Sequence, residues 1–422
     1  MVVCNMKKNY IFIILFTFFS IIGSKLFTFF SIIGSKLFTF ALSFHVLKIT
    51  GSVQAFSNIM IIYSLIFILG STSIGYYIDK INKKSFIISM QCISILSIIS
   101  IFLIPNSLNQ LLYIYIIVII LTVTDMAVSL TFNSGLLSLV SERFIDQTVS
   151  YRNVIQNVLQ IGAPILGGIV YAYFDIKTFM IIMFVTELIS LIIVLNIAFN
   201  KVPAKKVYEE VKDTFFNSYK VVFKFLKSNK DIFLILLSGS IINFMFGFVT
   251  VGIPGSFVTI FNMNSKQLGI IESGFPLAGI LFGLIYPKLK NKGTLVANMQ
   301  VAMITLAVGI LILCIPFITD FYKLSILVIY FISIFIIGSG VVLSNVPINI
   351  YVQKNVPEQI KGKYLALSQT MSQVMMPFGI LVAGILFDIN SAFYIISFSI
   401  TAILCFILAY LYTFIKKHDG VI

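Results

Sequence analysis

Ionisable side chains carry most of the possible chemistry in this chain, because so few of them lie inside its apolar runs. Asp, Glu, Lys and Arg make up only 10% of the 422 residues. Asp125 sits in the middle of one long apolar run, Glu187 in a second and Glu272 toward the outer side of a third, while Lys25 and Lys36 lie in the first. A charge at membrane depth is costly and by default marks a pathway, an ion site or a partner. Asp125 is therefore the first candidate site for a proton or cation. Its candidate partner is Lys36, or Lys25 if the chain spans the membrane further upstream; the competing reading is a carboxylate–ammonium pair that serves packing alone. Glu187 stands evenly between a structural and a functional role, and Glu272 is a further candidate for a proton or cation. Among uncharged groups, Asn243, Gln156, Gln160, Gln369 and Gln373 can line a path for a small molecule, or equally can make hydrogen bonds between helices.

Other chemistry has no residues to run on. There are two histidines, His45 and His418, and neither lies near a plausible nucleophile or metal set. The four cysteines, Cys4, Cys92, Cys314 and Cys405, form no CxxC pair and read as small hydrophobes. No Gly-rich loop with a phosphate-binding Lys is present. Neither an enzyme nor a cofactor or metal is expected. The net charge of +14 would raise nucleic acid as a partner for a soluble protein, but the basic residues are nearly all Lys and sit in short segments between apolar runs.

These residues are positioned by helices. Fully 59% of the chain is hydrophobic, against about 45–50% for soluble proteins, and the excess implies surface facing lipid. A helix crosses the hydrocarbon with about 20 apolar residues. Apolar runs fall near 10–47, 53–76, 85–104, 111–133, 151–173 and 177–199, then near 231–254, 266–287, 294–317, 323–346, 364–386 and 391–415. The expectation is an all-α membrane protein of about twelve transmembrane helices in two pseudo-symmetric six-helix bundles, 1–199 and 231–422, joined by a basic cytoplasmic linker at 200–230. With the N-terminus placed inside, Lys7, Lys8, Lys80, Lys83, Lys84, Arg143, Arg152, the lysines from Lys201 to Lys230, Lys288, Lys290, Lys292, Lys354, Lys361, Lys363, Lys416 and Lys417 all fall on the cytoplasmic side. Lys48, Lys177, Lys266 and Lys323 fall outside. The positive-inside rule then puts both termini in the cytoplasm. Lys7 and Lys8 open an uncleaved first helix.

Two repeats are visible. Tyr151, Gln156, Gln160, Pro164, Phe174, Asp175 and Ile176 recur at one constant offset as Tyr364, Gln369, Gln373, Pro377, Phe387, Asp388 and Ile389. The same offset carries Ser52, Gln54 and Gly70 onto Ser265, Gln267 and Gly283. Parallel halves of this kind are a known transporter plan. Locally, FTFFSIIGSKL at 16–26 returns letter for letter at 27–37, a tandem duplication spanning 16–37. The run 10–47 would make a helix of ~57 Å at 1.5 Å per residue, against a core of ~30 Å, so about a dozen extra residues should project beyond the span or lie at its interface.

The loop after the second run reads Gly75-Tyr-Tyr-Ile-Asp79-Lys80-Ile-Asn82-Lys83-Lys84. Gly75 permits close helix approach, Asp79 can make a charge contact in one conformation and lose it in another, and the lysines can anchor the loop at an anionic leaflet. This resembles the loop signature of the major facilitator superfamily, with Asn82 where a second Gly is usual; Asn tolerates the left-handed conformation such a turn needs. The fifth run carries Gly162-Ala-Pro164-Ile-Leu-Gly167-Gly168, similar to a motif of the drug–proton antiporters, with Ala163 in place of Gly. A tightly packed, kinked helix in any transporter would use the same residues. Thr50-Gly51-Ser52 and the stretch from Asn133 to Arg143 resemble the macrolide-efflux and siderophore-exporter branch. An Arg found in the fourth span of many proton-coupled exporters is missing, and Asp125 occupies that span instead.

The resemblance implies a secondary active transporter in the cell membrane that works by alternating access, with helices one, four, seven and ten lining the path. Its partners would be a small amphipathic molecule such as a macrolide or siderophore, the proton as coupling ion and membrane lipid. A monomer is expected and nucleic acid is not. An importer or lysophospholipid carrier of the same fold, or a non-transporting sensor homologue, are the rival expectations.

Overall fold

A computed structural model describes residues 2–78, 81–102, 110–134, 158–159, 162–163, 165–196, 226–227, 230–289, 295–319, 321–356 and 358–418. The expected linker at 200–230 thus lies almost wholly outside the described residues, as does much of the expected fifth span. The described residues are mostly helical, with no strand among them. The helices are α1 (Val2–Thr50), α2 (Val53–Ile78), α3 (Lys83–Phe102), α4 (Gln110–Ser134), α5 (Ile176–Asn196), α6 (Lys230–Gly255), α7 (Ser265–Glu272), α8 (Gly274–Leu289), α9 (Leu295–Cys314), α10 (Lys323–Asn355), α11 (Glu358–Ile389) and α12 (Ala392–His418). Residues 165–173 add a further helical segment before α5. Among the described residues, eleven stretches are long and apolar enough to cross a membrane. Large apolar side chains such as Leu69, Leu96, Leu284 and Leu324 remain exposed on these helices, as lipid-facing surface requires.

The first helix runs unbroken from Val2 to Thr50, and its apolar span is Leu26–Thr50. The second copy of the duplicated segment is the one packed into the first unit, through Phe27 on Phe132 and Ser35 on Asp125. By length the hydrocarbon accepts one copy, and Lys48 and Gly51 (φ 63°) fix the far end.

The chain divides into two compact units. The first comprises residues 1–42, 65–167 and 173–206; the second comprises 43–64, 168–172 and 207–422. In the first unit α3 packs on both α4 and α5. The start of α3 holds the ends of its neighbours: Lys83 Nζ donates to Ser134 O (3.0 Å) and Lys84 Nζ donates to Leu195 O (2.8 Å). Both contacts place a cation at a helix C-terminus, where it satisfies an orphan carbonyl and complements the dipole. These lysines of the loop signature thus serve as helix caps. Asn82 has a related task and not the left-handed one expected from sequence: among the described residues the only non-glycine positive φ is at Asn262. Asn82 Oδ1 accepts from Ser85 N (3.2 Å), which makes it the N-cap of α3. Gly75, Asp79 and Lys80 lie outside the residues whose side chains are described. At the other end of this pair Tyr113 OH donates to Ser100 Oγ (2.6 Å). Phe27 of α1 stacks on Phe132 of α4 at 4.3 Å, and both join Ile87, Val128 and Val194 in one apolar cluster.

In the second unit α6 packs along α11, and α9 packs against α10 and α12. Close approach of α6 and α11 depends on Gly247 and Gly379, where added Cβ atoms would collide with backbone of the opposite helix. Past Pro254 the chain widens into a π-helical turn, Ser256–Ile260, and the Ser256 hydroxyl meets Tyr330 OH at 2.7 Å. Phe257, Tyr330 and Phe398 around it are fully buried, so this aromatic cluster is core.

Candidate functional site

Asp125 lies on α4, half-buried, and its carboxylate accepts a hydrogen bond from the Ser35 hydroxyl of α1. The next residue, Lys36, is exposed and acts on Asp125 electrostatically. Helix one thus meets helix four at Asp125 through Ser35, with Lys36 acting on the carboxylate by its charge. The geometry follows from antiparallel packing: Phe27 meets Phe132 at one level, and two turns further along α1, Ser35 meets Asp125. The Lys25 side chain lies outside the described residues.

Glu187 belongs to the same neighbourhood. It is 3% exposed on the inward face of α5, and the Asp125 carboxylate acts on it directly. Gly34 brings α1 against this helix, since a Cβ there would collide with the Thr186 hydroxyl. Thr186 Oγ1 is itself satisfied by Met183 O (2.9 Å). One level of the first unit therefore holds two carboxylates and one ammonium, drawn from α4, α5 and α1. Such a set can hold a proton or a small cation and can exchange it when the Lys36–Asp125 attraction changes.

The other sequence candidates are dispersed. Glu272 ends α7 in the second unit, half-buried, beside the break at Ser273. Asn243 spends an amide hydrogen on its own helix, donating to Gly239 O (2.9 Å). Gln373 is half-buried on α11. Gln156, Gln160 and Pro164 lie outside the described residues, and so does the Gln369 side chain. Of the glycines in the antiporter-like stretch, Gly167 and Gly168 are packing positions. A Cβ at Gly167 would lie 2.8 Å from the Phe40 ring, and one at Gly168 would strike the Ser265 backbone. Gly162 has open space around it.

Asp388 is a site residue to which the sequence attached no role. Within the second unit its carboxylate sits on the N-terminus of α2: Oδ1 accepts from Val53 N (2.6 Å), and Oδ2 accepts from Gln54 N (3.2 Å) and from the Ser52 hydroxyl. Ser52 Oγ in turn accepts from Ala55 N (3.1 Å). An anion at a helix N-terminus satisfies orphan donors and complements the dipole. The signal was in the sequence, because Asp388 and Ser52 both belong to the set that recurs at one offset.

Comparison with known proteins agrees with this architecture. The sequence profile of the Major Facilitator Superfamily matches residues 25–380. Macrolide efflux protein A of Streptococcus pyogenes is 21% identical over 361 residues, covering 82% of this chain and 84% of that protein. Among solved structures, the nucleoside transporter NupG superposes with a TM-score of 0.71 at 14% identity, over 95% of this chain and 100% of that one. A D-xylose–proton symporter superposes with a TM-score of 0.62 at 13% identity, over 96% and 97%.

Proposed function

The chain belongs to the Major Facilitator Superfamily, and we propose that within this family of transporters it is a proton-coupled exporter of amphipathic small molecules. The observation that carries the coupling is the charge set inside the first unit, with Asp125 held by Ser35 and Lys36 and flanked by the buried Glu187. Macrolide-like compounds are the first substrate class to test, supported by the likeness to Macrolide efflux protein A; siderophores are the second. Transport proceeds by alternating access of two six-helix halves, 1–199 and 231–422, joined by the linker at 200–230. The protein resides as a monomer in the cell membrane, among lipid, with both termini in the cytoplasm as the lysine distribution supports.

In this reading Asp125 takes a proton from one side of the membrane and gives it up on the other. Protonation removes its attraction to Lys36 and frees the first and fourth helices to shift; loss of the proton restores the pair. Glu272, Glu187 and the amides of Asn243, Gln156, Gln160, Gln369 and Gln373 are the remaining candidates for contact with cargo or protons. Gly75, Asp79, Lys80, Lys83 and Lys84 control the conformational change at the cytoplasmic loop, and Gly162, Pro164, Gly167 and Gly168 set the packing of the fifth span.

Efflux from cells lacking their main drug pumps tests this directly. Cells expressing the protein are loaded with a macrolide or a cationic dye, with and without a protonophore. The expected result is protonophore-sensitive efflux that falls at least about tenfold in Asp125→Asn, the size of effect that loss of one essential charge contact of about 1.4 kcal/mol or more produces. Efflux undiminished in Asp125→Asn sinks the assignment of Asp125. No efflux of any compound, from protein present in the membrane, favours an importer or a lysophospholipid carrier, which lysophospholipid uptake then separates, or a sensor homologue.

A further inference from the structure

The α3–α5 seam of the first unit contains a layer of polar atoms that the charge set above does not account for. Its register is fixed by two contacts. Lys84 at the start of α3 donates to Leu195 at the end of α5, and Ile87 shares an apolar cluster with Val194. The helices therefore run antiparallel, and each step along α3 is a step back along α5. One turn beyond Ile87 lies Gln91, opposite Ser190; the next pair is Ser94 opposite Glu187; the next is Ile98 opposite Met183. All eight side chains are buried, none more than 4% exposed. Two polar levels are thus enclosed between two apolar ones.

Within those levels, Gln91 Nε2, Gln91 Oε1, Ser94 Oγ and Ser190 Oγ are buried and have no hydrogen-bond partner among the described residues. Each unsatisfied buried polar group costs about 1–3 kcal/mol, and native proteins satisfy nearly all of them, with water or an ion where protein groups do not serve. Three separate side chains on two helices are involved, all aimed into one seam beside a carboxylate. The charged groups facing this layer, among the described residues, are Glu187 from α5 itself, Asp125 from α4 and Lys36 from α1; α3 contributes none. Among the described residues Lys36 offsets one of the two carboxylates, which leaves a single negative charge of this set to be neutralised. A carboxylate in low dielectric without a countercharge takes up a proton or a cation. Carboxylate, amide carbonyl and hydroxyl oxygens are hard ligands, suited to hard cations rather than to transition metals.

We propose that this layer is a binding site for one small hard monovalent cation, a hydrated proton or sodium, held by Glu187, the Gln91 carbonyl and the Ser94 and Ser190 hydroxyls. Occupancy of the site neutralises Glu187 and relieves its repulsion of Asp125. The site thereby couples to the charge set of the proposed exporter. That coupling rests on the reading given above, whereas cation occupancy does not.

Thermal unfolding of the purified full-length protein separates the two. At fixed ionic strength, NaCl replaces choline chloride across a range of pH. If sodium is the cation, NaCl raises Tm of the wild type by at least about 3 °C and does not raise that of Glu187→Gln. If the hydrated proton is the cation, salt identity has no effect, while Tm gains a rise toward low pH that Glu187→Gln lacks. In both cases Gln91→Met with Ser190→Cys, which keeps Glu187, weakens the response. Wild type and Glu187→Gln responding alike to both sodium and pH overturns the proposal; should Glu187→Gln not fold, an unchanged response in the Gln91/Ser190 variant does so. A cation response retained by a protein whose Asp125→Asn variant exports normally would remove the proposed coupling role of Asp125 and leave the site standing.

Discussion

The helix seam that encloses this layer is built twice, and the two copies are chemical opposites. In the first unit the start of α3 is tied to the end of α5 by Lys84 and Leu195; in the second, the first turns of α9 are tied to α12 at Ala409 by Gln300 Nε2 donating to Ala409 O (3.4 Å). Buried positions then follow with the same spacing. On α3 they are Ile87, Gln91, Ser94 and Ile98, and on α9 they are Met299, Met303, Leu306 and Ile310. On α5 they are Met183, Glu187, Ser190 and Val194, and on α12 they are Phe398, Ala402, Cys405 and Ala409. At these four levels the second copy packs with apolar and small side chains, and its polar contact, from Gln300, lies at the edge. The polar residues of the first copy are therefore not required by the fold. They cost stability there, and residues that cost stability while adding nothing to packing are the ones that a function retains.

The strongest way to break this contrast is to make the second seam carry what the first one carries. Ala402→Glu puts a carboxylate at the position matching Glu187, at the level of Leu306 where the first seam has Ser94. The expected loss is about 3 kcal/mol or more from the unpaired charge alone, with overpacking added. The measurement is the yield and Tm of monodisperse protein in detergent. A variant as stable as the wild type would mean that the seam accepts a charge wherever it falls, and the argument from asymmetry would lose its force.

A smaller effect of opposite sign sharpens the contrast. Gln91→Met with Ser190→Cys installs, at one level of the first seam, the residues found at the matching level of the second. Removing unsatisfied polar groups without changing volume much is neutral to stabilising. Tm should hold or rise, by an amount corresponding to about 1–3 kcal/mol, while cation sensitivity falls. A drop in Tm together with unchanged cation sensitivity would show that the polar layer is part of the packing after all.

How much of this was legible beforehand depends on whether a residue announces itself locally. Asp125, Glu187 and Glu272 could be read from the chain because a charge within an apolar run is unusual by itself. Gln91, Ser94 and Ser190 could not. Serines in membrane helices commonly return a hydrogen bond to their own backbone, as Ser97 does to Ile93 O, and only the register with α5 distinguishes Ser94 from it. The helices were legible from hydropathy, and the constant offset between repeated residues pointed to two related halves. The choice between Lys25 and Lys36 was open for a physical reason: the two copies of the duplicated segment are identical, and only the packing of Phe27 and Ser35 settles which copy meets α4. Asn82 was misjudged because its identity fits both a left-handed turn and an N-cap, and the hydrogen bond to Ser85 decides between them.

The smallest expected effect concerns another feature that the chain builds twice, the start of a membrane helix after a short loop. At α7 the job is local. Asn264 Oδ1 accepts from Gln267 N (2.9 Å), and the Gln267 side chain accepts from Asn264 N (3.0 Å), a complete capping box. At α2 the matching segment has Gly51 in a left-handed conformation and Ser52 as its only local cap; the first two amides of the helix are served by Asp388, from the far end of α11. A local cap stabilises its own helix, whereas a distant one also ties two helices together. Asn264→Ala should therefore speed amide hydrogen exchange at the start of α7 alone, by an amount corresponding to about 1 kcal/mol. Asp388→Asn keeps the size of the side chain and removes the charge. It should loosen both the first turn of α2 and the last turn of α11, each by a similar or smaller amount. Exchange that rises at only one of those two ends would mean that Asp388 is an ordinary cap which happens to lie far away in sequence. Exchange that rises at both would identify it as the tie between α2 and α11, and a tie of about 1 kcal/mol is weak enough to be made and broken within a transport cycle.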